Sequence, residues 1–238
     1  MNNKQESELW SLLNNSKRTP LNPELIIKYY SPDLSEELRN ELCMKLGILE
    51  KEGWKYIQFL IDKYGIKAEL IKAAGLTGQR EARDLLINLL NKDSEMKLII
   101  IESLYSWGAS IPSHLLKEIL QDPSQSIRIG GLNLLSFRAH KLTDLELLNV
   151  LEDLLIDFRE PVVIKAIQVL QRSKGGNVTK RLEKIVIEGS DKSAHAALLA
   201  LGCIGDKSSQ DSLLKLKNLL PKGEKYDFTL NQLKIQYR

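Results

Sequence analysis

Three histidines, His114, His140 and His195, and two cysteines, Cys43 and Cys203, are the imidazole and thiol side chains of this 238-residue chain, the first to ask for transition-metal ligation or nucleophilic chemistry. Such sites need several ligands converging at short local spacings. Here the histidines are too far apart in sequence, and no CxxC occurs. No metal ligand set, disulfide framework or structural zinc is therefore expected, and a reducing, cytoplasmic setting follows from the cysteine usage. Gly175-Gly176-Asn177 lacks the preceding strand and the following lysine of a phosphate loop, so it reads as a helix-ending turn. The Walker-type, GxGxxG, HExxH and GxSxG motifs are absent. No residue is assigned a catalytic role.

The elements that carry these residues follow from an internal repeat. Arg39, Lys67, Lys97, Arg128, Val163 and Ala194 align six segments at spacings of 28, 30, 31, 35 and 31 residues. Three positions after each anchor stand Leu42, Leu70, Ile100, Gly131, Ala166 and Ala197. Four after stand Cys43, Ile71, Ile101, Leu132, Ile167 and Leu198, and seven after stand Leu46, Ala74, Leu104, Leu135, Leu170 and Leu201. Offsets of 3, 4 and 7 are the apolar stripe of an amphipathic helix. Gly78, Gly108 and Gly205 recur eleven after their anchors.

A second helix is expected after the striped one, over Glu81–Leu90, Ser113–Leu120, Asp144–Ile156, Thr179–Ile187 and Gln210–Leu220. The turns between them are Asn91-Lys92-Asp93-Ser94, Gln121-Asp122-Pro123-Ser124, Glu160-Pro161 and Gly189-Ser190-Asp191, whose Asp, Ser and Pro suit helix starts. Residues 1–32, with Pro20, Pro23 and Pro32, read as an N-terminal cap with helices at Glu6–Leu13 and Glu24–Tyr30. Residues 33–220 hold the repeats, and 221–238 read as an irregular or short helical tail over the last one. One helix pair cannot bury both of its stripes, whereas stacked pairs share a continuous core. The chain is thus expected to be one all-α domain.

Ala194-His195-Ala196-Ala197-Leu198-Leu199-Ala200-Leu201-Gly202-Cys203-Ile204-Gly205-Asp206 resembles the HEAT-like repeat named after phycobilisome (bilin) lyases. Ala73-Ala74-Gly75-Leu76-Thr77-Gly78-Gln79-Arg80-Glu81-Ala82 is a second, weaker match, and the resemblance covers roughly residues 33–220. It implies a right-handed α-solenoid of about six HEAT-like helix pairs. It further implies a non-catalytic protein-binding scaffold, adaptor or chaperone-like role on phycobiliproteins. A bilin lyase subunit and an iron–sulfur assembly adaptor are the alternatives within the same resemblance. No cofactor is expected, bilin or an iron–sulfur cluster being the groups those alternatives would bring.

Two enzymes of similar fold fail on the residues. Deoxyhypusine hydroxylase holds iron through His-Glu pairs, but His114, His140 and His195 precede Leu115, Lys141 and Ala196. HEAT-like alkylpurine DNA glycosylases cluster tryptophans beside a basic groove, but Trp10, Trp54 and Trp107 fall in three different segments.

Charge is distributed by turn. Arg80, Arg138, His140, Lys141, Lys174 and Lys207 follow the striped helices, and Asp33, Asp62, Asp93, Asp122, Asp157 and Asp191 fall in the opposite turns. One basic and one acidic edge are expected, as helix dipoles favour. Trp107 stands beside Gly108 on the basic edge, and Trp54 follows Gly53 in the first, shorter turn. Trp54, Arg80, Trp107, Arg138, His140 and Lys141 are therefore the partner-binding candidates, since Trp and Arg dominate protein interfaces. Cys43 falls in a core column, whereas Cys203 falls outside the three columns and is the candidate reactive thiol. The expected partner is another protein, a phycobiliprotein or a second HEAT-like subunit. A net charge of +3 without interleaved aromatics does not favour nucleic acid. No apolar run approaches the roughly 18 residues of a membrane span. The polar first eight residues offer no secretory h-region.

Overall fold

The computed structural model describes residues 3–15, 21–92 and 95–236, and every regular element among them is a helix. Pro20, Asp93 and Ser94, used above as turn signals, lie outside the described residues. The chain forms two compact units, Met1–Trp107 and Gly108–Arg238. In the first, α1 (Asn3–Asn15) and α2 (Pro23–Tyr29) pack on α3 (Glu36–Ile48), which packs on α4 (Glu50–Tyr64) and α5 (Ala68–Leu76). There α5 also packs on α6 (Arg80–Leu90) and α7 (Lys97–Ser103). A 3-10 turn over Tyr105–Ser110 leads into the second unit.

That unit holds α8 (Ser113–Leu120), α9 (Gln125–Ser136), α10 (Asp144–Leu151), α11 (Glu160–Leu170) and α12 (Gly176–Glu188). It ends with α13 (Asp191–Ile204), α14 (Lys207–Leu219) and α15 (Glu224–Gln236). Here α9, α11 and α13 pack in succession, and so do α10, α12 and α14. Two layers of helices, each element touching its counterpart in the next pair, are the architecture of an α-solenoid.

The striped helices are α3, α5, α7, α9, α11 and α13, and all eighteen stripe residues are buried. Capping explains several boundaries. Asn22 accepts from the Glu24 N–H ahead of Pro23, and Thr143 and Glu146 form a reciprocal capping box at α10. Ser190 and Asp206 cap α13 and α14 through the Ser193 and Ser209 N–H groups. Gly205 ends α13 in the left-handed region, at φ 61°, where a side chain would be strained.

Three expectations change. Leu49 alone separates α3 from α4, so Gly53 and Trp54 lie inside a helix. Gly53 is present because the α3 backbone passes so close, at the Leu46 carbonyl, that no Cβ could fit. Second, α10 ends at Leu151, and the next residues form an extended turn up to α11. Third, the C-terminal segment is a regular helix, α15, packed on α13 and α14. No helix among the described residues is long and apolar enough to cross a membrane.

Candidate functional site

The turns preceding α9, α11 and α13 are joined by charged side chains that reach from one repeat to the next. Asp157 is the centre of this ladder in the second unit. Its carboxylate accepts from Arg128 Nη1 at 2.6 Å, from Arg159 Nε at 2.8 Å and Nη2 at 2.9 Å, and from the Arg159 backbone N–H at 2.9 Å. The Asp157 side chain is completely buried. Hydrogen bonding from Arg159, opposed in part by burial, holds its carboxyl below the usual aspartate range. Arg128 also donates to the Asp122 carbonyl, and Arg159 donates to the Pro123 carbonyl. One repeat further on, Glu160 accepts from Ser190 Oγ at 2.7 Å and from Lys192 Nζ at 3.0 Å. These partners lower the Glu160 pKa.

The first unit repeats the device. Arg39, at the same repeat position as Arg128, donates to the Pro32 and Leu34 carbonyls. It pairs at 3.0 Å with Glu69 of the next repeat, and the Tyr30 hydroxyl donates to that same carboxylate at 2.7 Å. Burial, then the Glu69 hydrogen bond, pushes the Tyr30 phenol far up.

Part of the acidic edge expected from the sequence is therefore tied up within the fold. Asp157 is committed to two arginines, Asp122 accepts from the Ser124 N–H, and Asp191 sits 3.5 Å from Lys225 Nζ. Asp62 lies within α4, and Asp93 is outside the described residues.

What the ladder displays is apolar. The Asp157-centred turn carries Ile156, 69% exposed, and Phe158, 90% exposed. No other large apolar side chain among the described residues is as open as Phe158. The Arg159 guanidinium stands 4.8 Å from the Phe158 ring centroid, so the residue that fixes the turn also orients the ring. Beside them is a depression of about 320 Å³ lined by Leu155, Ile156, Phe158, Val163, Ser190 and Ser193, among others. Ile156 and Phe158 belong to no stripe, and the sequence pattern extends the preceding helix as far as Ile156. Two signals marked this turn: it belongs to the longest repeat spacing, 35 residues, and five before each anchor the other segments carry Leu34, Asp62, Lys92, Pro123 and Gly189.

The six partner-binding candidates differ in exposure, three of them in each unit. Trp54 is buried in α4 among core residues, which removes it from any surface. Arg80 is exposed at the start of α6. Trp107 is half-buried with the Arg83 guanidinium 5.5 Å from its ring, and its indole nitrogen is buried without a hydrogen-bond partner. Arg138 donates to the Ile111 carbonyl and to Ser113 Oγ, both at 3.1 Å, which ties it to the start of α8. His140 and Lys141 are exposed in a short 3-10 turn. Cys203 is exposed on α13 and Cys43 is buried in α3. No group of three or more His, Cys, Asp or Glu able to hold a metal occurs among the described residues.

No protein-family model matches the sequence, and no curated protein matches it. Solved structures do. A chain of the complex of CpcE and CpcF of phycocyanin lyase from Nostoc sp. PCC7120 aligns with a TM-score of 0.51. The two are 17% identical over 90% of this chain and 94% of that one. The fold is an α-helical repeat solenoid. An engineered protein aligns with the same TM-score, 0.51, at 16% identity over 90% of this chain and 67% of its own. A designed armadillo repeat protein aligns at 0.43, with 16% identity over 90% of this chain and 99% of its own.

Proposed function

We propose that this chain is a protein-binding repeat scaffold that grips its partner through the Ile156–Phe158 turn. The observation that carries the reading is Phe158 itself, a 90% exposed aromatic on a turn locked by the fully buried Asp157 carboxylate. An apolar ring held in water by a rigid backbone forgoes about 1.5–3 kcal/mol of burial, which a partner pocket would recover. Little conformational entropy remains to be lost when such a pre-ordered anchor docks. The partner of the scaffold is a protein, a phycobiliprotein in line with the repeat resemblance, whereas a second HEAT-like subunit belongs to the lyase-subunit reading. Affinity purification from the native cell with the wild-type chain and with Ile156→Ser/Phe158→Ser tests this. A specific partner recovered by the wild type and lost by the variant is expected. An identical set of partners from both, with both proteins folded, rules out the turn as the grip.

A second reading, one subunit of a heteromeric lyase, is supported by the similarity to the CpcE and CpcF complex. It predicts that the co-purifying protein is itself a helical-repeat chain and that the two elute together from a sizing column at a fixed ratio. A partner without helical repeats supports the scaffold reading instead.

A further inference from the structure

The other end of α11 carries a different surface. The turns after α9, α11 and α13 are brought side by side by side-chain links between repeats. Arg172 Nη1 donates to the Ser136 carbonyl, Asn177 Nδ2 donates to Asp144 at 2.9 Å, and the Thr179 and Ser208 hydroxyls lie 2.8 Å apart. Along this edge stand Arg138, Lys141, Arg172, Lys174 and Lys207, with His140 beside them. None of them is ion-paired with a described residue. The ion pairs of the unit lie elsewhere, at Arg128–Asp157, Arg159–Asp157, Lys184–Glu188, Lys192–Glu160, Lys215–Glu183 and Lys225–Asp191.

The acids on this edge are already engaged. Asp144 binds Asn177, Glu146 closes the capping box with Thr143, and Asp206 caps α14 at the Ser209 N–H. These carboxylates keep their charge but are turned to neutral donors, so the five cations outnumber the three acids of the edge and none of the five is held in an ion pair with a described residue. Burial, and after it the charge of Arg172, lowers the pKa of Lys165 on α11 below the ordinary lysine value. The second unit as a whole has 19 lysines and arginines against 15 aspartates and glutamates.

We propose that this edge docks an acidic polypeptide segment whose carboxylates meet successive turns. Charge complementarity of this kind speeds encounter and selects partners. Nucleic acid fits less well, because Phe137 and His140 stand at the first turn but the turns at 171–177 and 205–207 contain no aromatic residue on which successive bases could stack. The inference extends the scaffold reading to a second surface, and its test leaves Phe158 untouched, so either can fail alone.

The test measures fluorescence anisotropy of a labelled poly-L-glutamate peptide titrated with the full chain, at low and at raised salt. Lys141→Glu/Lys174→Glu/Lys207→Glu reverses the edge, while Lys117→Glu/Lys217→Glu/Lys234→Glu makes the same net change elsewhere. Circular dichroism checks that both remain helical. The edge variant should bind at least roughly tenfold more weakly than wild type and the control variant less than about twofold, with wild-type affinity falling as salt rises. Equal losses in both variants, which would mean net charge alone, overturn the proposal. So does the absence of measurable poly-L-glutamate binding, or tighter binding of a single-stranded oligonucleotide of equal charge through the same lysines.

Discussion

Asp157→Ala removes four hydrogen bonds at once from the junction of two repeats, three of them from guanidinium groups. The variant leaves Arg128 and Arg159 facing a void where a fully buried carboxylate had been, at side-chain exposures of 20% and 13%. Breaking a buried pair costs about 3–5 kcal/mol, but these arginines keep enough water contact to recover part of it. The net loss is therefore about 2–4 kcal/mol. At about 2–4 °C per kcal/mol for a chain of this size, the melting temperature should fall by roughly 4–16 °C. Thermal and urea denaturation followed by far-ultraviolet circular dichroism measures it.

The pH dependence has a definite sign. The folded carboxyl sits below the ordinary aspartate value, so its contribution is complete above about pH 4 and disappears as pH falls through the lowered value. The gap between wild type and Asp157→Ala should be constant from about pH 5 to 7 and close below about pH 4. A variant that melts like the wild type at neutral pH, or a gap that widens on acidification, would refute the ladder as the element that fixes the turn.

Two further outcomes follow from burial and close approach. Ellman's reagent should label the exposed Cys203 in the folded protein, whereas Cys43 should react only after denaturation, because burial and the Glu69 charge push its thiol far up. Fast labelling of both thiols would contradict the packing of α3. Gly108→Ala should destabilise by about 1–3 kcal/mol, because its Cβ would stand 2.5 Å from the Leu134 carbonyl oxygen. A urea midpoint unchanged from wild type would show that the backbone there has room to move.

The core was legible from sequence because burial in a helical stack repeats at fixed offsets. Leu42, Ile71, Leu104, Leu132, Ile167 and Leu201, along with the other twelve stripe positions, needed only periodicity. The surface was not legible in the same way. Trp54 read as a turn residue because Gly53 precedes it, yet that glycine answers to a neighbouring backbone and not to a bend. The aspartates read as a free acidic edge because part of their pairing is distant in sequence: Arg128 reaches Asp157 across 29 residues, although Arg159 reaches it across two. Pairing at that range depends on how repeats stack, which no single segment encodes. Phe158 is hidden for the complementary reason: it belongs to no stripe, and only the longer spacing of its repeat and its aromatic type at that position set it apart.

The most direct test of the scaffold reading is the affinity of the purified full chain for its co-purifying protein, measured by calorimetry for the wild type and for Phe158→Ala. A central aromatic anchor contributes about 2 kcal/mol or more, so the account predicts roughly thirtyfold or greater weakening with an unchanged melting temperature. An affinity equal to that of the wild type would contradict it.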